Sequence, residues 1–255
     1  MNTMKSSFLA RVGIVASAAG LFFLLRPDVL KAVLNVPIQV RAAYRQDVES
    51  PNLIQKYLRE HQVRKLQLGA GDNSYEGWLN TDIDPLENQA YLDASKPFPL
   101  PDSSLHYVFS EHLIEHLTYE QGMAMLRESR RVLAPGGKVR IATPNLTKFI
   151  ELFRESPAQG ARQYMKRAQD WHEWPRTADP ACYILNSELR SWGHQFVYTR
   201  RMLVAALESL GFGEIKEFQP GESDDPALSG LEARARWGYR DVNAYETMVV
   251  QAVRP

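Results

Sequence analysis

The sequence predicts an α/β fold, a mostly parallel sheet with helices on both faces, and two observations predict it. Apolar strand-like runs alternate with amphipathic helical runs along the chain, which is typical of parallel sheets. The strand Lys65–Leu68 leads into a glycine turn at residues 69–71, and a second strand, Trp78–Ile83, ends in carboxylates. The 255 residues suffice for one such core with appendages, so we expect a single domain.

Composition and charge narrow the classes of function. The 30 basic and 30 acidic residues balance, so no global field draws the protein to nucleic acid, and we predict no nucleic-acid partner. The single cysteine, Cys182, excludes an internal disulfide and an all-cysteine metal cluster. One cysteine also fits a reducing compartment, and the cytosol is the simplest inference.

The glycine turn is the first candidate binding element. Glycine reaches positive φ and lets the backbone approach a ligand without an intervening Cβ, and a nucleotide-like ligand is the usual occupant. Asp82, at the carboxyl end of the second strand, can accept hydrogen bonds from both hydroxyls of a ribose. The alternative is an ordinary tight turn between two strands, which Gly69 and Gly71 alone do not exclude.

Further motifs follow downstream of the turn. Asp93 precedes a proline-bounded loop, a later strand ends in Ser-Glu-His at 110–112, and a helix closes on the run RVLAPGG at 131–137. Together with the glycine turn and Asp82, these motifs resemble a class I S-adenosylmethionine-dependent methyltransferase. The resemblance is strong over residues 60–150 and weak elsewhere. It is closest to predicted methyltransferases that are linked with surface-polysaccharide gene sets.

The resemblance implies a Rossmann-like sheet whose last strand is antiparallel, with S-adenosylmethionine as the cofactor. In similar enzymes an acidic residue at the position of Asp93 accepts a hydrogen bond from the adenine amino group, and the backbone amide at Ala94 faces the ring. The cofactor-binding candidates are Leu68, Gly69, Ala70, Gly71, Asp82, Ile83, Asp93, Ala94 and Ser110.

In one respect the chain departs from the family. Only about ten residues separate Gly69 from the second strand, whereas a helical crossover between parallel strands usually needs a dozen or more. We therefore expect the helix after the glycine turn to be shortened or absent. Backbone amides without a helix N-terminus must then stabilise the cofactor.

The motif Ser-Glu-His at residues 110–112, where a predicted strand ends, indicates which kind of methyl acceptor the protein uses. The methyl donor is a sulfonium, so the transfer is an in-line displacement in which the protein positions two reactants and receives a proton. Residues 110–112 offer a carboxylate and an imidazole but no cation, which suits a hydroxyl acceptor that needs a base. We predict O-methylation of a sugar or glycan intermediate, and a small-molecule acceptor such as a quinone or lipid is the alternative.

Four residues are candidates for catalytic roles. We expect His112 to act as the base, Glu111 to lie near the sulfonium or orient the acceptor, and His194 or His172 to contribute from a lid. The alternative for each histidine is a structural role, in which it hydrogen-bonds the lid to the strand ends. For His116 that structural role is the prediction.

Three further elements are predicted around the candidate residues: a helix, a lid and a final strand. A capping box at Thr118 predicts a helix over Tyr119–Ala134 that the Pro-Gly-Gly of 135–137 stops. The aromatic-rich span 156–198 predicts a lid over the cofactor, or else a peripheral cap with its own small core. The final strand is predicted at Tyr245–Val253, antiparallel by analogy with the family.

The N-terminal segment, residues 1–48, precedes the methyltransferase-like domain of residues 49–255. The apolar run Val12–Leu25 is bracketed by Arg11 and Arg26, but it is shorter than the roughly twenty residues that span a membrane. A membrane anchor, a helix packed on the domain and a cleaved signal peptide all stay open. We expect a cytoplasmic protein with this segment as a candidate anchor at the inner face of the cytoplasmic membrane.

One motif indicates a different chemistry. Residues 112–116, His-Leu-Ile-Glu-His, match the H-x-x-E-H pattern of inverted zinc proteases, which places two imidazoles on one face of a helix. Such a site requires a long helix, whereas a strand precedes the motif and Thr118 begins a new helix just after it. We predict no metal there, and keep a zinc hydrolase and a non-catalytic scaffold as alternatives of another class.

Overall fold

The computed structural model describes residues 43–172, 179–232 and 240–255. Residues 1–42, which include the apolar run of the predicted anchor, lie outside the described residues, as do Trp174 and the side chains of Trp171 and His172 in the predicted lid. In the described part of the chain, no helix combines the length and the apolar character needed to cross a bilayer.

The described elements depart from the regular alternation of strand and helix that the sequence predicts: the first four strands follow one another with no α-helix between them, and four helices follow one another between the fifth and sixth strands. A π-helical turn, Arg45–Glu49, precedes the first α-helix, and a 3₁₀ turn, Ile114–His116, follows the fourth strand. The strands are β1 (Lys65–Leu68), β2 (Leu79–Asp82), β3 (Ala90–Tyr91), β4 (Leu105–Glu111), β5 (Leu133–Pro144), β6 (Gly213–Phe218) and β7 (Thr247–Val253). The helices are α1 (Ser50–Glu60), α2 (Tyr119–Val132), α3 (Leu146–Glu151), α4 (Gln159–His172), α5 (Pro180–Arg190), α6 (Arg200–Ser209) and α7 (Arg240–Glu246).

The strands form one sheet in the order β3-β2-β1-β4-β5-β7-β6. Strands β1 to β5 pair in parallel, and β7 is antiparallel to both of its neighbours, β5 and β6. This confirms the predicted Rossmann-like sheet with an antiparallel last strand. The strand order reverses between β1 and β4, and the crevice at the carboxyl ends of such a pair is where open α/β sheets bind ligands.

One face of the sheet is apolar. Val108 of β4 lies opposite Leu66 of β1 and Val139 of β5, and all three are fully buried. They share a core cluster with apolar side chains of two flanking helices, namely Met125 and Leu126 of α2 and Leu203 and Leu207 of α6. Burial of these side chains is the main stabilising term for this half of the domain.

The other face of the same strands is polar where β4 and β5 run side by side. Arg140 of β5 donates to both carboxylate oxygens of Glu232 at 2.7 and 2.8 Å, and both side chains are fully buried. Lys138 donates to Asp225 at 2.8 Å. The loop between β6 and α7 carries both acids, so this loop covers the face over β4 and β5.

Helix α2 begins where the sequence predicts and ends earlier. The capping box is formed: the Thr118 hydroxyl accepts from the Gln121 amide, and the Gln121 side chain accepts from the Thr118 amide. The helix ends at Val132 rather than Ala134 because Leu133 already pairs with Leu105 of β4. The Pro-Gly-Gly run therefore lies inside β5 and does not stop the helix.

The predicted last strand is too long by two residues. Tyr245 and Glu246 belong to α7, and β7 begins at Thr247. Contacts of these two side chains explain the difference: the Tyr245 hydroxyl donates to the Lys148 carbonyl at 3.1 Å, and Glu246 accepts a 2.7 Å hydrogen bond from the Tyr164 hydroxyl.

The span predicted as a lid contains the hairpin of α4 and α5. Its apolar side chains form a cluster of their own with α3, which comprises Phe149, Leu152, Ala161, Tyr164, Ala168, Ala181, Ile184 and Val197. Burial raises the pKa of Tyr164, and the neighbouring Glu246 carboxylate raises it further. This satellite core matches the peripheral-cap interpretation for Tyr164, whereas His194, discussed below, contacts the segment after β4.

Candidate active site

The glycine turn has the conformation that its residues predict. Gly69 and Gly71 adopt φ values of +66° and +48°, which side chains with a Cβ rarely adopt. A Cβ at Gly69 would also lie 3.1 Å from a methyl carbon of Leu113. Leu113 therefore closes against the turn, a contact that sequence reasoning missed because the two residues belong to different strand ends.

Asp82 lies against the turn at the carboxyl end of β2. Its Oδ2 accepts from the amide of Gly71 at 2.9 Å, and its Oδ1 accepts from the amide of Asp84 at 2.9 Å. A carboxylate offers about four lone-pair positions, so both oxygens can still accept from ligand hydroxyls. The two backbone amides thus fix the orientation of the carboxylate, as its predicted role at a ribose requires.

The connection from β1 to β2 has no helix among its residues 69–78, as the short spacing predicts. Amide side chains hold it instead. Gln67 donates to the Asn73 carbonyl at 2.9 Å, Asn80 exchanges hydrogen bonds with the backbone of Tyr75, and Gln89 donates to the Gly71 carbonyl at 2.7 Å. These three buried amides were not predicted, although amide residues on otherwise apolar strands are a usable signal.

The predicted adenine side of the site lies beside Asp82. The Leu92 amide donates to the Asp82 carbonyl at 2.9 Å, which places Asp93 and Ala94 immediately after β3. Asp93 Oδ1 accepts from the amide and hydroxyl of Ser95. Ile83 is 64% exposed, and an exposed large apolar side chain between polar neighbours is suited to contact a flat ring.

The loop after Asp93 is fastened to α2 by one arginine. Arg131 donates to the carbonyls of Phe98 and Leu100, and it also pairs with Glu128 at 2.7 Å. The Arg131 guanidinium is the main reason that the pKa of the Glu128 carboxyl lies below its usual value. The first residue of the RVLAPGG motif therefore has a structural role, because it holds the proline-bounded loop next to the cofactor side.

His112 lies at the end of β4 with φ +48°, and its ring is engaged on both sides. Nε2 lies 3.0 Å from the Thr247 hydroxyl, Nδ1 lies 3.2 Å from Glu115 Oε1, and the side chain is 4% exposed. A base must have a nitrogen available for the substrate's proton. The proposed role of His112 as base therefore requires one of these contacts to open.

Glu115 is fully buried beneath the strand end. Its Oε2 accepts from the Thr143 hydroxyl at 2.9 Å. Burial raises the pKa of this carboxyl, but the neighbouring imidazoles of His112 and His116 and a backbone hydrogen bond outweigh that effect, so its pKa lies below the usual 4.5. The carboxylate is thus held ionised inside the protein.

The other two predicted strand-end residues are also buried. Glu111 is 9% exposed and Ser110 is fully buried at the carboxyl end of β4. The Ser110 hydroxyl has no hydrogen-bond partner within the described residues. These residues and the glycine turn lie at adjacent strand ends, because Leu68 pairs with Ser110.

The H-x-x-E-H pattern does not form a protease-type helix. His112 follows a strand with a left-handed backbone, and Ile114–His116 is a single 3₁₀ turn. The two imidazoles are consequently not held four residues apart on one helical face, as the zinc-protease interpretation requires. The long helix that the zinc hydrolase alternative requires around this motif is therefore not formed.

The family described as "Methyltransferase domain" matches residues 80–141, from the second residue of β2 to the middle of β5. Over residues 80–141 the chain is similar to a methyltransferase domain. The matched stretch includes Asp82, Asp93, Ser110 and the RVLAPGG run. The resemblance implies S-adenosylmethionine as the cofactor, and the residues at the carboxyl ends of β1 and β2 are the candidates for its ribose and adenine.

Solved structures also resemble the methyltransferase. An S-adenosylmethionine-dependent methyltransferase from Archaeoglobus fulgidus is 19% identical over 80% of this chain and 94% of that chain, with a TM-score of 0.46. One from Mesorhizobium loti is 17% identical over 79% of this chain and 98% of that chain, also with a TM-score of 0.46. No curated protein matches the chain.

Proposed function

We propose that this methyltransferase transfers the methyl group of S-adenosylmethionine to a hydroxyl of a sugar or glycan intermediate. The chemistry of the strand end after β4 carries the proposal: residues 110–116 contribute carboxylates, imidazoles and a hydroxyl, and no lysine or arginine. A cation there would repel the sulfonium of the donor. A hydroxyl, unlike a thiolate or a free amine, needs help in losing its proton, and these groups can supply it.

The proposed roles follow from the contacts of these groups. A carboxylate beside Nδ1, here that of Glu115, favours the tautomer in which Nε2 accepts a proton. The Thr247 hydroxyl donates to Asn243 Oδ1 at 2.5 Å and so accepts from Nε2 in this arrangement. His112 would act as base when the acceptor hydroxyl replaces Thr247 and Nε2 no longer carries a hydrogen. Glu111 is proposed to orient the acceptor or to lie near the sulfonium, and His194 to contribute through the segment after β4.

The acceptor is tested by mass spectrometry of cell-surface glycans, quinones and lipids from strains that lack the protein. We expect one glycan methyl group to disappear, to return with the wild-type gene, and to stay absent with Asp82→Ala. The Asp82→Ala strain is the matched control, because it retains the protein but should bind the donor poorly. Loss of a methyl group from a quinone or lipid, with every glycan unchanged, would contradict the sugar assignment.

We further propose that residues 1–48 hold the catalytic domain, residues 49–255, at the inner face of the cytoplasmic membrane. Support comes from the apolar run between Arg11 and Arg26, since a basic amphipathic segment binds a bilayer surface. Cell fractionation tests it, with a chain lacking residues 1–40 as the control. If the full-length protein is recovered wholly in the soluble fraction without detergent, the helix packs on the domain instead.

A further inference from the structure

We infer that Glu115, His116 and His194 form a binding site for a divalent transition-metal ion. One ligand atom from each of the three side chains lies within 4.8 Å of the other two. Imidazole nitrogens and a carboxylate oxygen are ligands that zinc, manganese and iron accept. This set replaces His112 of the sequence motif with a histidine from the distant segment after α5.

The backbone holds the two halves of this cluster together. The amides of Gln195 and Phe196 both donate to the Glu115 carbonyl, at 2.7 and 3.1 Å, and the Gln195 side chain donates to the His116 carbonyl at 2.8 Å. The last of these bonds joins residues 79 positions apart in the chain. His194 is thus fixed beside Glu115 and His116 by contacts that do not involve its own ring.

The surroundings resemble those of metal ligands. His194 Nδ1 lies 2.6 Å from the Glu188 carbonyl, so Nδ1 carries the hydrogen and Nε2 is left to bind. Metal-ligating histidines usually donate their other ring N–H in this way, to a carbonyl or a carboxylate. Thr143 likewise holds the Glu115 carboxylate through Oε2, which leaves Oε1 as the ligand atom.

The Glu115 carboxylate supports the same site. The residue is fully buried; its Oε1 lies 3.2 Å from His112 Nδ1 and has no other hydrogen-bond partner within the described residues. A buried carboxylate is stable only when neighbouring groups compensate for its loss of water. A bound cation would add to the compensation that His112 and Thr143 provide.

The dimensions require a small adjustment. Ligand atoms about 2.0–2.2 Å from a zinc ion lie roughly 3.4 Å apart in tetrahedral geometry, so the cluster, whose ligand atoms lie up to 4.8 Å apart, must contract by about 1.4 Å. His116 is only half-buried, so its side chain has room to move. Three protein ligands leave a coordination position open for water or another oxygen, as in catalytic rather than structural metal sites.

The test titrates full-length protein, stripped with a chelator, with Co²⁺, Zn²⁺ and Mn²⁺ in turn. Calorimetry gives the stoichiometry, and the visible spectrum of Co²⁺ reports the ligand set. We expect one equivalent to bind. His194→Gln and His116→Gln should each weaken binding by about 100-fold or more, since loss of even an outer-shell partner costs 10–100-fold.

His106→Gln is the matched control. His106 is an exposed histidine whose Nδ1 accepts from the Arg64 amide, near the opposite end of β4, so its loss should leave metal binding unchanged. Circular dichroism confirms that each variant is folded. Thr143→Val keeps all three ligands and should weaken binding more mildly, which separates loss of a ligand from loss of structure.

Two results would overturn the inference. One is the absence of stoichiometric binding of all three ions to wild-type protein. The other is a double variant, His116→Gln with His194→Gln, that binds metal as tightly as the wild type. Neither measurement depends on methyl transfer. The inferred metal site and the proposed methyl acceptor are therefore tested independently of each other.

Discussion

The two faces of the sheet around β4 and β5 are stabilised in different ways. On one face Leu66, Val108 and Val139 are buried among the apolar side chains of α2 and α6, and their contribution is roughly proportional to buried area. On the other face Arg140 and Glu232 are equally buried but depend on each other. We therefore expect the first face to tolerate substitutions between apolar side chains of similar volume. On the second face, we expect Arg140 and Glu232 to tolerate substitution only when both are replaced together.

The physical reason lies in desolvation. A buried ion pair repays the cost of leaving water only when both partners are present, and removal of one leaves a charge without compensation. Burial of an apolar side chain does not depend on a charged partner. Its truncation lowers the free energy of unfolding only through lost contacts and the cavity that is left. A small apolar cluster of Trp78, Phe109, Leu228 and Leu231 adds ordinary burial to the polar face.

The largest expected effect comes from splitting the buried pair. Glu232→Ala should lower the free energy of unfolding by about 3–5 kcal/mol, because Arg140 is left charged and buried. Urea denaturation followed by fluorescence measures it. The double variant Arg140→Met with Glu232→Gln is the control, and we expect it to lose clearly less than the sum of Arg140→Met and Glu232→Gln. Strict additivity would contradict the proposed dependence.

A smaller loss is expected on the apolar face. Leu66→Ala should cost about 2–5 kcal/mol through lost burial and a cavity, whereas Leu66→Met, with nearly the same volume, should cost less than about 1.5 kcal/mol. The same denaturation experiment measures both. If the two variants were equally destabilised, packing would not be what stabilises this face.

The candidate cofactor site lies at the carboxyl ends of β1 and β2, and there we expect a substitution to affect binding rather than folding. Asp82→Ala should weaken S-adenosylmethionine binding by about 1.5–3 kcal/mol, because charge-assisted hydrogen bonds to the ribose are lost. Calorimetry with S-adenosylmethionine and its demethylated product measures it. Asp84→Ala, at an exposed neighbouring carboxylate, should bind as the wild type does. Wild-type protein that binds neither ligand would contradict the cofactor site.

The smallest effect is a difference in pH dependence between the faces. Burial raises the pKa of the Asp225 carboxyl, but hydrogen bonds from Lys138, the Ala227 amide and Tyr107 outweigh that effect and hold its pKa below the usual 3.8. A carboxyl with a lowered folded-state pKa stabilises the protein above its unfolded pKa and loses that contribution as the pH falls through the folded value.

Asp225→Asn should therefore flatten the decline of stability below about pH 4, by less than about 1 kcal/mol because the pair is partly exposed. Thermal unfolding between pH 2 and pH 7 measures the decline, and Leu66→Met should leave its slope unchanged. An unchanged slope in Asp225→Asn would show that this pair does not contribute to acid stability.

Several features of the protein were determined by short stretches of sequence alone. The capping box at Thr118 formed as predicted because its hydrogen bonds join residues three apart. The glycine turn and the missing helix before β2 also followed from local spacing, since positive φ and a short connection are properties of the chain segment itself. The parallel sheet was predicted correctly from the alternation of strand and helix, although that alternation holds only over β4–α2–β5–α3 and α6–β6–α7–β7.

Only the tertiary structure decided the contacts between distant segments. The end of α2 is set by pairing of Leu133 with β4, and the pairing of Arg140 with Glu232 joins residues that no local pattern connects. Likewise His194 meets His116 across a long stretch of chain, with ring centroids 4.8 Å apart. Such contacts depend on how the faces pack and on which buried charges must be paired, and those requirements exist only once the chain has folded.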